Sequence, residues 1–246
     1  MSDATPDPRP DGSAVAAAGG DAAPLHPAGA VPGLAERLAE LRLRLPPQAR
    51  LLAVSKGHPP ERLRAAAALG QCSFGESRLQ EAIPKQAALA DLPGLDWHFI
   101  GRLQANKARG VLRHFGTIHS VDSLELAERL ARIAAEEGLQ PAIFLQVKLR
   151  PDPGKTGLSA DELRAIWPRI QSLPALRPVG LMTIAPLDLP LEERHGLFAE
   201  CAALAAELGL GELSMGMSGD WPEAVAAGST WVRIGSGLFG PKACQG

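Results

Sequence analysis

Three short stretches of this chain carry residues whose types and spacing could do chemistry. A lysine, Lys56, directly follows the apolar run Leu51-Leu52-Ala53-Val54-Ser55. A stem flanked by packed side chains desolvates the amine and lowers its pKa, and a neutral amine condenses with a carbonyl to give an imine. On position alone, a solvated lysine at a strand end fits as well. Further on, Ser214-Met215-Gly216-Met217-Ser218-Gly219 leads to a helix start at Asp220. Small residues and hydroxyls there let backbone N–H groups converge on an anion at a positive helix end. Gly235-Ser236-Gly237 is a second small-residue loop. Two tight turns without a ligand would use the same residue types. Arg233 stands just ahead of that loop, and buried arginine is rare without a partner. It either faces the site or makes an ion pair with a carboxylate in the core. His98 could act as an acid or base, or could be a hydrogen-bonded core histidine.

These groups need elements to hold them. Leu34, Leu38, Leu41 and Leu45 recur at helical spacing, and Pro46-Pro47 ends that helix. Strand-length runs follow at 51–55, 72–75, 97–101, 117–121, 142–149, 178–184, 212–216 and 231–235. Between them the sequence predicts helices: one opened by Pro59-Pro60 and closed by Gly70, then 77–89, 104–114, one from Asp122 with Glu125 as its capping-box partner, 161–171, a long one through Leu197 to Leu208, and 220–227 capped by Asp220. Eight strands alternating with helices demand parallel strands with helical crossovers. The expected fold is a single (β/α)8 TIM barrel with a leading N-terminal helix, over residues 32–246; an open doubly wound sheet would alternate in the same way. In a barrel the active site lies at the C-terminal ends of the strands. Those ends carry Lys56, His98, Met182, Ser214 and Arg233, and phosphate sites commonly use the loops after strands seven and eight.

Composition narrows the function class. The net charge is −2 and no block of Lys or Arg is present, so nothing marks a nucleic-acid surface. No apolar stretch approaches the length of a membrane span. The three cysteines are widely spaced, in no metal-ligand grouping, and read as reduced cytosolic thiols. Residues 1–31 are rich in Ala, Pro, Gly and Asp without a periodic apolar face, and read as a disordered tail. They match neither a signal nor a transit peptide. A cytoplasmic monomer is the expectation. Gly154-Lys155-Thr156 is not a phosphate-binding P-loop, because the required earlier glycine is Leu149.

Taken together, AVSKG (53–57), FGESRLQE (74–81), WHFIGRLQANK (97–107), GKTG (154–157) and LSMGMSGDWPEAVAAGSTWVRIGSGLFG (213–240) resemble the pyridoxal-phosphate homeostasis proteins. The likeness runs from about Leu34 to Lys242. It implies a barrel related to the N-terminal domain of alanine racemase, with pyridoxal 5′-phosphate (PLP) held as a Schiff base on Lys56. It implies phosphate contacts from Ser214, Met217 and Ser218 and from Gly235 and Ser236, with Arg233 beside the pyridine nitrogen. Ser77, at a position where the family pattern has Asn, and His98 and Met182, read from their strand ends, complete the expected cofactor-binding set. A cation at that nitrogen disfavours its protonation and weakens the ring as an electron sink. Family members bind and release PLP and influence vitamin B6 and amino-acid pools without established turnover, and PLP-dependent apoenzymes are possible recipients. The chain departs from the family pattern at Ser77, Gly57 and Arg102, where Asn, Thr and Pro are usual.

Two enzyme readings compete. A PLP-dependent amino-acid racemase of the alanine racemase fold needs a second base, which in alanine racemase is a tyrosine from a second domain. This chain contains no tyrosine, and the sequence shows no room for such a domain. His98 is the candidate to replace it. A Schiff-base aldolase would also suit a lysine and a phosphate site, but the lysine's place on the first strand and the full motif pattern argue against it.

Overall fold

A computed structural model describes residues 33–240. Eight parallel strands close into one barrel in the order β1 to β8, with β8 paired to β1. The strands are β1 Arg50–Val54, β2 Ser73–Glu76, β3 Asp96–Phe99, β4 Thr117–Val121, β5 Ala142–Gln146, β6 Arg177–Met182, β7 Glu212–Met217 and β8 Trp231–Ile234. The helices are α1 Leu34–Arg44, α2 Pro60–Ala68, α3 Leu79–Ala88, α4 Ala108–His114, α5 Leu124–Glu137, α6 Ala160–Gln171, α7 Leu191–Glu207, α8 Trp221–Ala226 and α9 Ser236–Phe239. The expected TIM barrel with its leading helix is therefore the observed fold. The proposed tail at 1–31 lies outside the described residues.

The physics is that of a sheet covered on both faces. β5 is buried at every position because its outward residues meet helices and its inward residues fill the barrel. Inside, Leu52, Phe144, Met182 and Trp231 form one cluster. Outside, α1 uses Leu34, Leu38 and Leu41 to pack with Leu238 and Phe239. Arg37 Nε donates to the Leu238 carbonyl at 2.7 Å, tying α1 to the last described helix.

Several boundaries differ from expectation for local reasons. α5 starts one residue later than predicted: Ser123 is its N-cap and accepts from Leu126 N at 3.1 Å. That shift puts apolar Leu126 where a capping box needs an acid, so Glu125 makes no box. Among the described residues the reciprocal box is in α6, between Ser159 and Glu162. Asp220 is the N-cap of α8 by position, but its carboxylate makes no cap hydrogen bond. It accepts instead from Met217 N at 2.7 Å, tightening the β7–α8 loop. The helix α9 has no periodic signal in four residues and went unpredicted.

Candidate cofactor site

Strand ends at one mouth of the barrel bring the chemically distinctive residues together. β1 stops at Val54, and Ser55-Lys56-Gly57 turns away from it. Gly57 has φ 77°, a conformation a β-branched residue resists, so this turn suits the glycine found where Thr is usual. The expectation of a lysine stem packed between side chains is not met: Lys56 is exposed. The strand closes two residues earlier, and the lysine projects from the turn rather than the sheet.

What the sequence reading missed is how firmly that turn is held. Ser55 is buried, and its hydroxyl donates to Glu76 Oε1 at 2.7 Å. Lys85 Nζ donates to the Ser55 carbonyl at 2.9 Å, to Glu76 at 2.7 Å and to Glu81 at 2.6 Å. Glu81 in turn accepts from Gly57 N. A buried lysine and two carboxylates thus clamp the residues on both sides of Lys56. Burial raises the Glu76 pKa despite Lys85 and Ser55. Burial pushes Glu81 the same way, but Lys85 and the Gly57 N–H outweigh it and hold Glu81 below the ordinary carboxylate range. The i, i+4 spacing of Glu81 and Lys85 was the legible signal; their targets in the turn after β1, Gly57 and Ser55, were not.

The two small-residue loops meet. Ser218 Oγ accepts from Gly237 N at 3.2 Å and lies 3.5 Å from Ser236 Oγ. Both serines are exposed. Among the described residues no acceptor takes the N–H of Ser218 or of Gly219. Gly216 lets the end of β7 turn closely onto α8: at φ 86°, a Cβ there would lie 2.7 Å from Ala224 Cβ and 2.8 Å from Trp221 Cα. The β8 loop also abuts β1, with Gly235 against Val54. Exposed hydroxyls and uncommitted amides beside the Lys56 turn make a cradle that fits a phosphate.

Three residues expected at the site stand deeper. β7 runs on to Met217, so Ser214 is a mid-strand residue and is buried, with its hydroxyl committed inside the barrel. Met182 is 1% exposed and packs in the interior cluster with Leu52, Phe144 and Trp231. His98, also 1% exposed, engages both nitrogens: Nδ1 lies 2.8 Å from His119 Nε2, and Nε2 lies 2.5 Å from Asp96 Oδ2. It is the hydrogen-bonded core histidine. Met217 ends β7 half-buried, with its N–H given to Asp220. Ser77 follows β2 directly, half-buried, and its hydroxyl makes no hydrogen bond among the described residues.

Arg233 is buried, and it forms no ion pair with a carboxylate among the described residues. Its Nη1 donates to the Ser214 carbonyl at 2.5 Å and to Ser214 Oγ at 2.8 Å, while Nη2 donates to the Thr183 carbonyl at 2.9 Å. Burial pushes its pKa down to about 10, which leaves it cationic at neutral pH. Three of five donor hydrogens are spent, and two remain.

Residues 32–243 match the family model described as alanine racemase, N-terminal domain. A pyridoxal phosphate homeostasis protein of Synechocystis sp. is 48% identical over 209 residues, covering 82% of this chain and 96% of the relative. The chain belongs to the pyridoxal phosphate homeostasis proteins. The member of that name in Escherichia coli K12 is 36% identical over 206 residues, 81% of this chain and 88% of the relative. PipY of Synechococcus elongatus PCC7942, solved with PLP bound, is 55% identical with a TM-score of 0.82, covering 84% of this chain and 100% of that one. An alanine racemase of Corynebacterium glutamicum shares the fold at 18% identity and a TM-score of 0.66, and this chain covers 62% of it.

Among the described residues no helix is long and apolar enough to cross a membrane. The Gly154-Lys155-Thr156 segment lies in the loop after β5, where Lys155 Nζ binds Asp152 at 2.9 Å and the Ala185 carbonyl at 3.0 Å.

Proposed function

We propose that this chain is a carrier of PLP that takes part in intracellular vitamin B6 homeostasis and amino-acid balance without catalytic turnover. The observation that carries the reading is the junction of β1 and β8: a clamped lysine turn adjoins a cradle of exposed serines and free amides. Lys56 holds the cofactor as a Schiff base. Ser218, Gly235 and Ser236 hold its phosphate, Ser77 reaches it from β2, and Arg233 lies toward the pyridine nitrogen. Bound PLP supplies an electrophilic carbon and an electron-withdrawing ring. The protein's part is to grip the phosphate and to keep a cation by the ring. The name and bound ligand of PipY support the same reading.

The racemase alternative loses its candidate second base, because both His98 nitrogens are engaged inside the barrel. The carrier acts in the cytoplasm as a monomer, with PLP-dependent apoenzymes as recipients.

Borohydride reduction of the PLP-loaded protein, followed by peptide mass spectrometry, tests the binding mode. A reduced adduct on Lys56 and its loss in Lys56→Ala are expected; an adduct elsewhere, or none, overturns it. Incubation with a panel of L-amino acids tests the rest. Sustained release of D-isomers, amines or keto acids would remove the carrier reading.

A further inference from the structure

A line of hydrogen bonds crosses the barrel interior from its floor to Arg233. Asp96 opens β3 at the end opposite the mouth, and its side chain is 49% exposed. His98 Nε2 lies 2.5 Å from Asp96 Oδ2, and His98 Nδ1 lies 2.8 Å from His119 Nε2. His119 Nδ1 lies 2.8 Å from Ser214 Oγ, which accepts from Arg233 Nη1 at 2.8 Å. His119 and Ser214 are fully buried. His119 stacks on Phe144, with ring centroids 4.3 Å apart.

Proton positions along this line follow from its two ends. Arg233 can only donate, so Ser214 Oγ is an acceptor there, and the hydroxyl hydrogen needs an acceptor of its own. His119 Nδ1 is the one within reach. His119 then carries its proton on Nε2 and donates to His98 Nδ1, and His98 donates from Nε2 to the Asp96 carboxylate. Every donor and acceptor is matched, and both imidazoles are neutral. The reverse order needs a charged His98 and sets two donors on Ser214 Oγ, leaving its buried hydrogen without an acceptor. Burial, His98 and the Arg233 charge all hold His119 well below the ordinary histidine range, in keeping with a neutral ring.

We infer that Asp96, His98, His119 and Ser214 form a one-way donor chain that positions Arg233, fixing three of its hydrogens and leaving Nε–H and one Nη2–H for the cofactor ring. This rests on the reading of Arg233 as the group that faces the pyridine nitrogen. Asp220 acts on Arg233 through space, but its carboxylate is engaged by Met217 N and Arg194. Arg233 is held by neutral acceptors alone and keeps its positive charge at the site. These four are positioning residues; none of them needs to touch the cofactor.

Nitrogen-15 NMR of the histidine side chains in the cofactor-free protein at neutral pH is the direct test. Both His98 and His119 are expected as neutral Nε2–H tautomers. A charged His98, or His119 protonated at Nδ1, overturns the chain whatever the cofactor does. With PLP bound, Asp96→Asn removes the fixed acceptor at a half-exposed position. It is expected to mix the tautomers, shift the cofactor's absorption band and weaken PLP binding by about threefold to tenfold. Unmoved tautomers and an unmoved band in a variant that melts like the parent also overturn the inference. Should borohydride find no adduct on Lys56 while the tautomers are as stated, the cofactor reading fails and the proton order stands.

Discussion

Gly235 packs against Val54: a Cβ built on the glycine would lie 3.5 Å from both the Val54 Cβ and the Val54 carbonyl oxygen. Val54 is the last residue of β1, and Lys56 follows two residues on. Gly235 follows β8, and its neighbour Ser236 reaches Ser218 of the β7 loop. One contact between residues 181 positions apart therefore brings the amine and the anion cradle to the same edge of the mouth. It exists because the barrel closes, with Ala53 registered against Ile234. In an open sheet β1 and β8 need not touch.

Phosphate binding depends on the two exposed hydroxyls. A hydrogen bond to a charged group contributes about 1.5–3 kcal/mol. Ser218→Ala and Ser236→Ala are each expected to raise the Kd for PLP about tenfold or more. Pyridoxal, which lacks the phosphate, should bind variant and parent alike. Spectroscopic titration with both ligands checks this, and equal losses for both would remove these serines from the phosphate site.

Gly216→Ala would set a side chain at φ 86° and drive it into Trp221 and Ala224. A cost of about 2–3 kcal/mol is expected. Thermal unfolding should show a fall of about 2–4 °C per kcal/mol, together with weakened PLP binding, since the β7 loop must shift. A variant as stable as the parent would mean that the turn relaxes freely.

Lys85→Met would strand the Glu76 carboxylate, which is 0% exposed. Breaking a buried pair costs about 3–5 kcal/mol. Urea unfolding should report that loss, and the double variant Lys85→Met, Glu76→Gln should recover most of it. A double variant as unstable as the single one would show that Lys85 acts through Ser55 and Glu81 instead.

His119 gives a pH dependence with a definite sign. Its pKa is lower in the fold than in the unfolded chain, so the unfolded chain binds more protons below about pH 6.5. The stability contribution is complete above that value and is lost as pH falls toward the folded pKa. As pH falls below about 6.5 the slope of the loss should rise toward about 1.4 kcal/mol per unit. His119→Asn should flatten this slope even if the variant is less stable overall. Equal slopes in the two proteins would assign the proton uptake to another group.

Much of the site was readable in one dimension because its signals are local. Lys56 ends an apolar run, and Ser218, Gly235 and Ser236 lie in small-residue loops beside helix starts. Glu81 and Lys85 stand four residues apart on one helix, but their targets, Gly57 and Ser55, lie in the turn after β1, and no local pattern links the two segments. His119 carried no signal at all. Its partner Ser214 is 95 residues away, and a histidine inside a strand looks the same whether or not something faces it. Ser214 reads as a strand end although β7 runs three residues past it, and Met182 does end β6 but turns its side chain into the barrel, a choice of face that composition does not record.

By itself the sequence determined the alternation of eight strands and their helices, since apolar periodicity, proline and glycine act over a few residues. It also determined which residue types stand near the strand ends. Tertiary structure decided which of them face the mouth and which fill the barrel, because inward and outward positions alternate and a shift of one or two residues at a strand end reassigns them. It alone joined Lys56 to the cradle and Arg233 to Asp96, because closure and buried hydrogen bonds match partners by position in space, and no local pattern records that.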